Sequence, residues 1–185
     1  LGATVGFRFA APHFVLTPDD RWLVTASEDG ELAVWDLRSG EKTRTLRIAT
    51  GLHALALSPN GRIAAVGIDG GIQLVDLPSG EVRTTTGRLS GRPTWLLFGP
   101  DGDTVVSTNL DGTVTLWDVG SATPRETLRG HWNSVQQPVF SPDGETLYTV
   151  SHDGSAIAWD MTGERGLGRS FTFTRDRKSA IFTAG

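Results

Sequence analysis

Apolar and polar positions along the chain fall into short segments rather than long periodic stretches. Trp22-Leu23-Val24-Thr25-Ala26-Ser27 and Thr113-Val114-Thr115-Leu116-Trp117 have strand length, and several such runs alternate apolar with polar. No stretch sustains a 3.6-residue period, so no helix longer than a turn is expected. Turn residues separate the runs. Thr17-Pro18-Asp19-Asp20, Ser58-Pro59-Asn60-Gly61, Gly99-Pro100-Asp101-Gly102 and Ser141-Pro142-Asp143-Gly144 start 41, 41 and 42 residues apart. Pro presets φ at the second turn position, and Asp, Asn and Gly tolerate the positions that follow.

Two further series keep the same register. Asp29-Gly30, Asp69-Gly70, Asp111-Gly112 and Asp153-Gly154 lie between apolar runs and predict hairpins. Trp35-Asp36, Val75-Asp76, Trp117-Asp118 and Trp159-Asp160 close each unit. In the first unit the strands are expected at roughly 11–16, 21–27, 31–37 and 41–47. Four strands in a period of 41 or 42 residues with a Trp-Asp ending describe a propeller blade. The expected fold is all-β: a β-propeller of four-stranded antiparallel blades.

The repeat resembles the WD40 family over nearly the whole chain. The fourth unit matches best, through Gly130-His131, Val135, Phe140-Ser141-Pro142-Asp143-Gly144, Ser151, Asp153-Gly154 and Trp159-Asp160. The resemblance implies a hydrogen-bonded tetrad of His131, Ser151, Asp153 and Trp159. Partial sets follow in the first unit (Ser27, Asp29, Trp35, with Phe7 near the histidine place) and the third (Asn109, Asp111, Trp117). The second unit has Gly67 for Ser and Val75 for Trp.

The register places blades at 8–48, 49–88, 89–130 and 131–174. Ile181-Phe182-Thr183 falls 42 residues after Val139-Phe140-Ser141, so 175–185 reads as the inner strand of a next blade. Leu1-Gly2 is echoed by Leu167-Gly168, so 1–7 reads as the outer strand of a preceding blade. Four complete blades with a stray strand at each end are expected as an open segment of a larger propeller of seven or more blades.

Composition narrows the function classes. The 185 residues carry a formal net charge of −4, which argues against a general nucleic-acid surface. There is no cysteine, hence no disulfide framework and no thiolate zinc site. No apolar run is long enough to span a bilayer, and the expected compartment is the cytoplasm. Arginine supplies 15 of the 17 basic residues, a bias suggesting a GC-rich bacterial genome. Asp36, Asp76, Asp118 and Asp160 recur after the Trp position in every unit, which makes them repeat punctuation rather than a ring of catalytic carboxylates. His13, His53, His131 and His152 show no zinc-helix spacing, and no serine sits in a nucleophile elbow. No enzyme signal, cofactor motif or metal-ligand set stands out. A basic cluster of Arg165, Arg169, Arg175, Arg177 and Lys178 reads as a solvated inter-blade loop in preference to an anionic contact.

The resemblance places partner contacts beside the inner strand and just before the turn Asp. The matching positions are His53, Thr94 and Gln136, then Glu28, Ile68, Leu110 and His152, with Trp132 in the loop before the fourth blade as a further indole contact. The function expected is a non-catalytic interaction scaffold for a protein or peptide. The alternative is a propeller enzyme or small-ligand binder using the central channel. The stretch from Trp159 to Phe171 also resembles blade ends in WD40 arrays of actinobacterial multidomain regulators, which carry separate DNA-binding and P-loop domains. That likeness implies a sensing or regulatory arm, with no direct nucleic-acid contact from these residues.

Overall fold

The computed structural model describes residues 13–85 and 91–162 together with the strands Arg169–Phe173 and Ala180–Thr183. Every regular element among the described residues is a strand, and no helix there is long and apolar enough to cross a membrane. The first sheet holds β1 (His13–Leu16), β2 (Trp22–Ala26), β3 (Glu31–Asp36) and β4 (Lys42–Arg47) in chain order. The second holds β5 (Ala54–Leu57), β6 (Ile63–Ile68), β7 (Gly71–Asp76) and β8 (Val82–Thr84). The third holds β9 (Pro93–Phe98), β10 (Thr104–Asn109), β11 (Val114–Asp118) and β12 (Thr123–Leu128). The fourth holds β13 (Val139–Phe140), β14 (Thr146–Val150), β15 (Ser155–Asp160), β16 (Arg169–Phe173) and β17 (Ala180–Thr183). All neighbours are antiparallel, as expected of propeller blades.

The turns form as the residue types dictate. Thr17, Ser58 and Ser141 each accept a backbone N–H five residues on through their hydroxyl, at 2.9–3.0 Å. The carboxylates at the end of the third strand cap the next turn: Asp36 accepts from Arg38 N–H at 2.7 Å, Asp118 from Ser121 N–H at 2.7 Å, and Asp160 from Thr162 N–H at 2.8 Å. At Asp160 the Thr162 hydroxyl, donating at 2.6 Å, is the larger influence, and together these bonds hold all three carboxyls below the usual range.

Strand alternation decides which blade each side chain meets. In β6, Ala64 and Val66 face the first blade while Ala65 faces the third. In β10, Val105 faces the second blade and Val106 the fourth. The result is three separate cores, each lying between consecutive sheets. Leu32, Ile72, Leu74, Leu116 and Leu147 are fully buried there, each contributing roughly 1.5–3 kcal/mol of transfer free energy.

One expectation is corrected. Ala180–Thr183 does not stand as the inner strand of a next blade; β17 pairs with β16 as a fifth strand of the fourth sheet. The 42-residue spacing identifies a strand but not the strand that it pairs with. The strand expected at 1–7 and the position of Phe7 lie outside the described residues, as do the side chains of Arg165, Arg169, Arg175, Arg177 and Lys178.

Candidate functional site

Each tryptophan that closes a unit is tied to a hydroxyl on the neighbouring strand. Trp35 Nε1–H donates to Thr25 at 3.0 Å, Trp117 to Ser107 at 2.9 Å and Trp159 to Thr149 at 2.9 Å. The fourth blade extends this into a relay. Thr149 Oγ1 lies 2.9 Å from His131 Nε2, and His131 Nδ1 lies 3.0 Å from Asp153 Oδ2. The indole donates to the hydroxyl and Nδ1–H to the carboxylate; in the neutral ring, which burial favours, the hydroxyl O–H completes the order by donating to Nε2. Burial lowers the His131 pKa, against the raising influence of the Asp153 bond and charge.

Ser151 is not the bridging hydroxyl of this set. It donates to the carbonyls of Asn133 and Ser134 at 2.9 and 3.0 Å and accepts from Asp153 N–H at 3.1 Å, so it shapes the loop. The physical reason is register. Trp159 sits opposite Leu147, and two residues on, the same face is Thr149. Ser27 and Asn109 likewise serve their own hairpins, Ser27 bonding Asp29 and Asn109 donating to Thr113 at 3.0 Å. Asp111 accepts from the Thr113 hydroxyl at 2.6 Å. In the second blade Val75 stands opposite Ala64, so Val66 holds the hydroxyl's place. Indole and hydroxyl are lost together there, and both valines are fully buried.

The rim bearing the Asp-Gly hairpins collects the residues expected to meet a partner. Glu28, Leu110, Trp132 and His152 face solvent, Trp132 at 77% exposure. Trp132 is held from beneath, its backbone N–H donating to Asp153 Oδ2 at 3.1 Å. His53 and Gln136 are half-buried, and Gln136 donates to Ser134 at 3.0 Å. Ile68 instead packs into the core between the first two blades. Thr94 is committed between blades, donating to the carbonyls of Val135 and Thr108.

Inner strands β1, β5 and β9 also frame a groove of about 400 Å3 that no motif announces. His13, His53 and Thr94 line its upper end, with Phe14 and Trp95 exposed beside Leu55. Arg92 Nη2 lies 2.8 Å from His53 Nδ1, and His53 Nε2 lies 2.8 Å from Asp69 Oδ1. Asp69 meets His53 within the second blade, whereas Arg92 reaches it from the third, a contact between blades that the repeat spacing does not encode. Among the described residues no three His, Cys, Asp or Glu side chains come together as a metal set.

The model of the "WD domain, G-beta repeat" matches residues 13–36, 80–118 and 122–160, more than half of the chain. A guanine nucleotide-binding protein subunit beta of Zea mays is 35% identical over 65 residues, covering 34% of this chain and 17% of that protein. An uncharacterized WD repeat-containing protein of Synechocystis is 28% identical over 106 residues, 56% of this chain and 30% of its own length. The small ribosomal subunit protein RACK1 of Candida albicans is 36% identical over 62 residues, 34% of this chain and 20% of its own. The chain thus spans less than a third of the length of each of these relatives. With its blades, its Trp-Asp endings and its matched repeats, the chain belongs to the WD40 repeat family.

Proposed function

We propose that this chain is a non-catalytic protein-interaction scaffold that presents its hairpin rim to a protein or peptide. We place it further as the sensing or regulatory arm of a larger bacterial signalling or transcription-control protein, in the cytoplasm. Trp132 carries the reading. It is an indole at 77% exposure on a loop whose backbone is fixed by Asp153, and hence by the His131 relay beneath it. A large apolar side chain held in place loses little freedom on binding, which is what interface anchors require. Leu110 and His152 supply neighbouring apolar and polar contacts on the same rim.

Two relatives support a partner-binding role by their names, one as a subunit of a guanine nucleotide-binding protein and one as a protein of the small ribosomal subunit. The arginine bias and the stretch from Trp159 support the bacterial regulatory setting. The test is capture from a lysate of the native host with immobilised protein. Wild-type protein should retain a defined partner that Trp132→Ala releases, with the thermal midpoint of the variant unchanged. Equal retention by both proteins would remove this face from the interaction, and no retained partner would count against the scaffold itself.

A further inference from the structure

We propose that Asn60 is a site of spontaneous deamidation, in which the Gly61 nitrogen displaces the side-chain amide as ammonia, and that of the two possible products only aspartate fits the turn.

Among Asn60, Asn109 and Asn133, only Asn60 precedes a glycine, and its side chain is exposed. Glycine places no Cβ beside the attacking nitrogen. The step balances with water as its single co-reactant. A bond forms from Gly61 N to Asn60 Cγ as the bond from Cγ to Nδ2 breaks, and the Gly61 proton leaves with the ammonia. Water then opens the five-membered imide at one of its two carbonyls. Breaking the new bond gives aspartate. Breaking the original peptide bond gives isoaspartate, whose main chain runs through Cγ.

The folded turn sets the rate. Gly61 N–H donates to the Ser58 carbonyl at 2.8 Å, while Asn60 Oδ1 accepts from the Ser58 hydroxyl at 2.8 Å and from Arg62 N–H at 3.0 Å. Attack requires the nitrogen to leave that carbonyl and the side chain to swing over it, so the reaction runs through local opening of the turn.

The other blades show which product is accommodated. Asp19, Asp101 and Asp143 stand at the matching position. Each accepts the backbone N–H two residues on, at 3.0–3.1 Å, and Asp19 and Asp143 also accept from the Thr17 and Ser141 hydroxyls. Aspartate at position 60 inherits the same donors. Isoaspartate adds a main-chain carbon just before Gly61, where a Cβ would already come within 3.3 Å of Pro18 in the first blade. The glycines of the next two turns stack likewise, Gly102 on Pro59 and Gly144 on Pro100. A longer chain at this point must break the bond from Gly61 to Ser58 or push the two turns apart.

The test ages the full chain in mildly alkaline buffer beside a synthetic peptide of residues 54–68, followed by peptide mapping. A gain of about 1 Da should appear in the fragment holding Asn60, at about one tenth of the peptide's rate or less. Ser58→Ala removes one bond to Oδ1 and should raise the rate in the folded chain about threefold or more. The aged forms are resolved by anion exchange, since each product adds one negative charge, and assigned by electron-transfer fragmentation. The aspartate form should unfold within about 0.2 M urea of the wild type, as should Asn60→Asp, and the isoaspartate form about 0.5 M or more below it. No mass gain after about a hundred peptide half-lives, or a rate equal to the peptide's, would overturn the site as described. Equal midpoints for the two products would overturn the selection by the turn. This turn lies at the other end of β6 from the Asp69-Gly70 hairpin, and no partner protein enters the experiment, so the result is independent of lysate capture.

Discussion

Trp159 donates its indole N–H to Thr149 across 2.9 Å, and the same ten-residue separation joins Trp35 to Thr25 and Trp117 to Ser107. In the fourth blade Thr149 serves two buried groups at once, receiving the indole proton and offering its own to His131. Thr149→Val keeps the shape but leaves both partners unsatisfied, which should cost about 2–4 kcal/mol. Ser151→Ala, at a half-buried position that ties two loop carbonyls and the Asp153 N–H but neither the indole nor the imidazole, should cost about 0.5–1 kcal/mol. Urea midpoints of the two variants decide the assignment, and a larger loss at Ser151 would return the bridging role to it.

Acid should weaken the fourth blade through His131. Burial holds His131 below the usual imidazole value, so on acidification the unfolded chain takes up a proton before the folded one. The relay's contribution is therefore whole above the ordinary imidazole value of roughly 6.5 and declines as pH falls through it. Asp153 acts in the same direction lower on the scale. Burial opposes its ionisation, but hydrogen bonds from Ser155, Trp132 N–H and His131 outweigh that and depress its pKa. Unfolding midpoints in urea should fall between about pH 7.5 and 5.5 in the wild type and fall less in His131→Gln. A midpoint that rises on acidification would contradict the neutral ring.

Outer strands are braced from blade to blade by arginine. Arg44 on β4 donates to the carbonyls of Leu77, Pro78 and Ser79 in the second blade, the last at 2.9 Å, while Arg83 on β8 makes one bond among the described residues, to Gly120 in the third at 2.9 Å. Arg44→Met retains most of the aliphatic stem and removes the bonds, so it should cost about 1–3 kcal/mol, and Arg83→Met about half of that. Amide exchange gives a local check: protection of the turn after Asp76 should drop in Arg44→Met and stay unchanged in Arg83→Met.

The blades were legible because Pro, Asp-Gly and Trp-Asp each have a local cause and recur in one register. The relay was legible only in part. Both Thr149 and Ser151 are hydroxyls at even spacing before the turn Asp, so residue type could not choose between them. The choice is made by the pairing of Trp159 with Leu147, which is a cross-strand property. The groove was legible only as far as His53 and Thr94 beside the inner strands, because Phe14, His53 and Trp95 belong to three different blades. Their meeting depends on how the sheets stack, and the repeat spacing carries no information on that. The paired loss of indole and hydroxyl at Val75 and Val66 follows strand alternation, since both side chains lie on one face of the sheet.

Two hairpin glycines of the same backbone conformation should respond very differently to one methyl group. Gly112 and Gly154 have φ of 87° and 85°, so alanine at either position meets the left-handed penalty of about 1–2 kcal/mol. At Gly154 a Cβ would have nothing within 4 Å, and Gly154→Ala should cost little beyond that. At Gly112 the Cβ would lie 2.6 Å from the backbone carbonyl oxygen of His131, the residue that anchors the relay. A backbone atom cannot swing aside as a side-chain tip can, so Gly112→Ala must displace the loop carrying His131 and Trp132. The expected loss is about 3 kcal/mol or more, with a shifted Trp159 indole N–H resonance in the NMR spectrum. Gly154→Ala should leave that resonance in place. Equal losses at the two positions would mean that the loop yields freely, and that the indole at Trp132 is not presented on a fixed support.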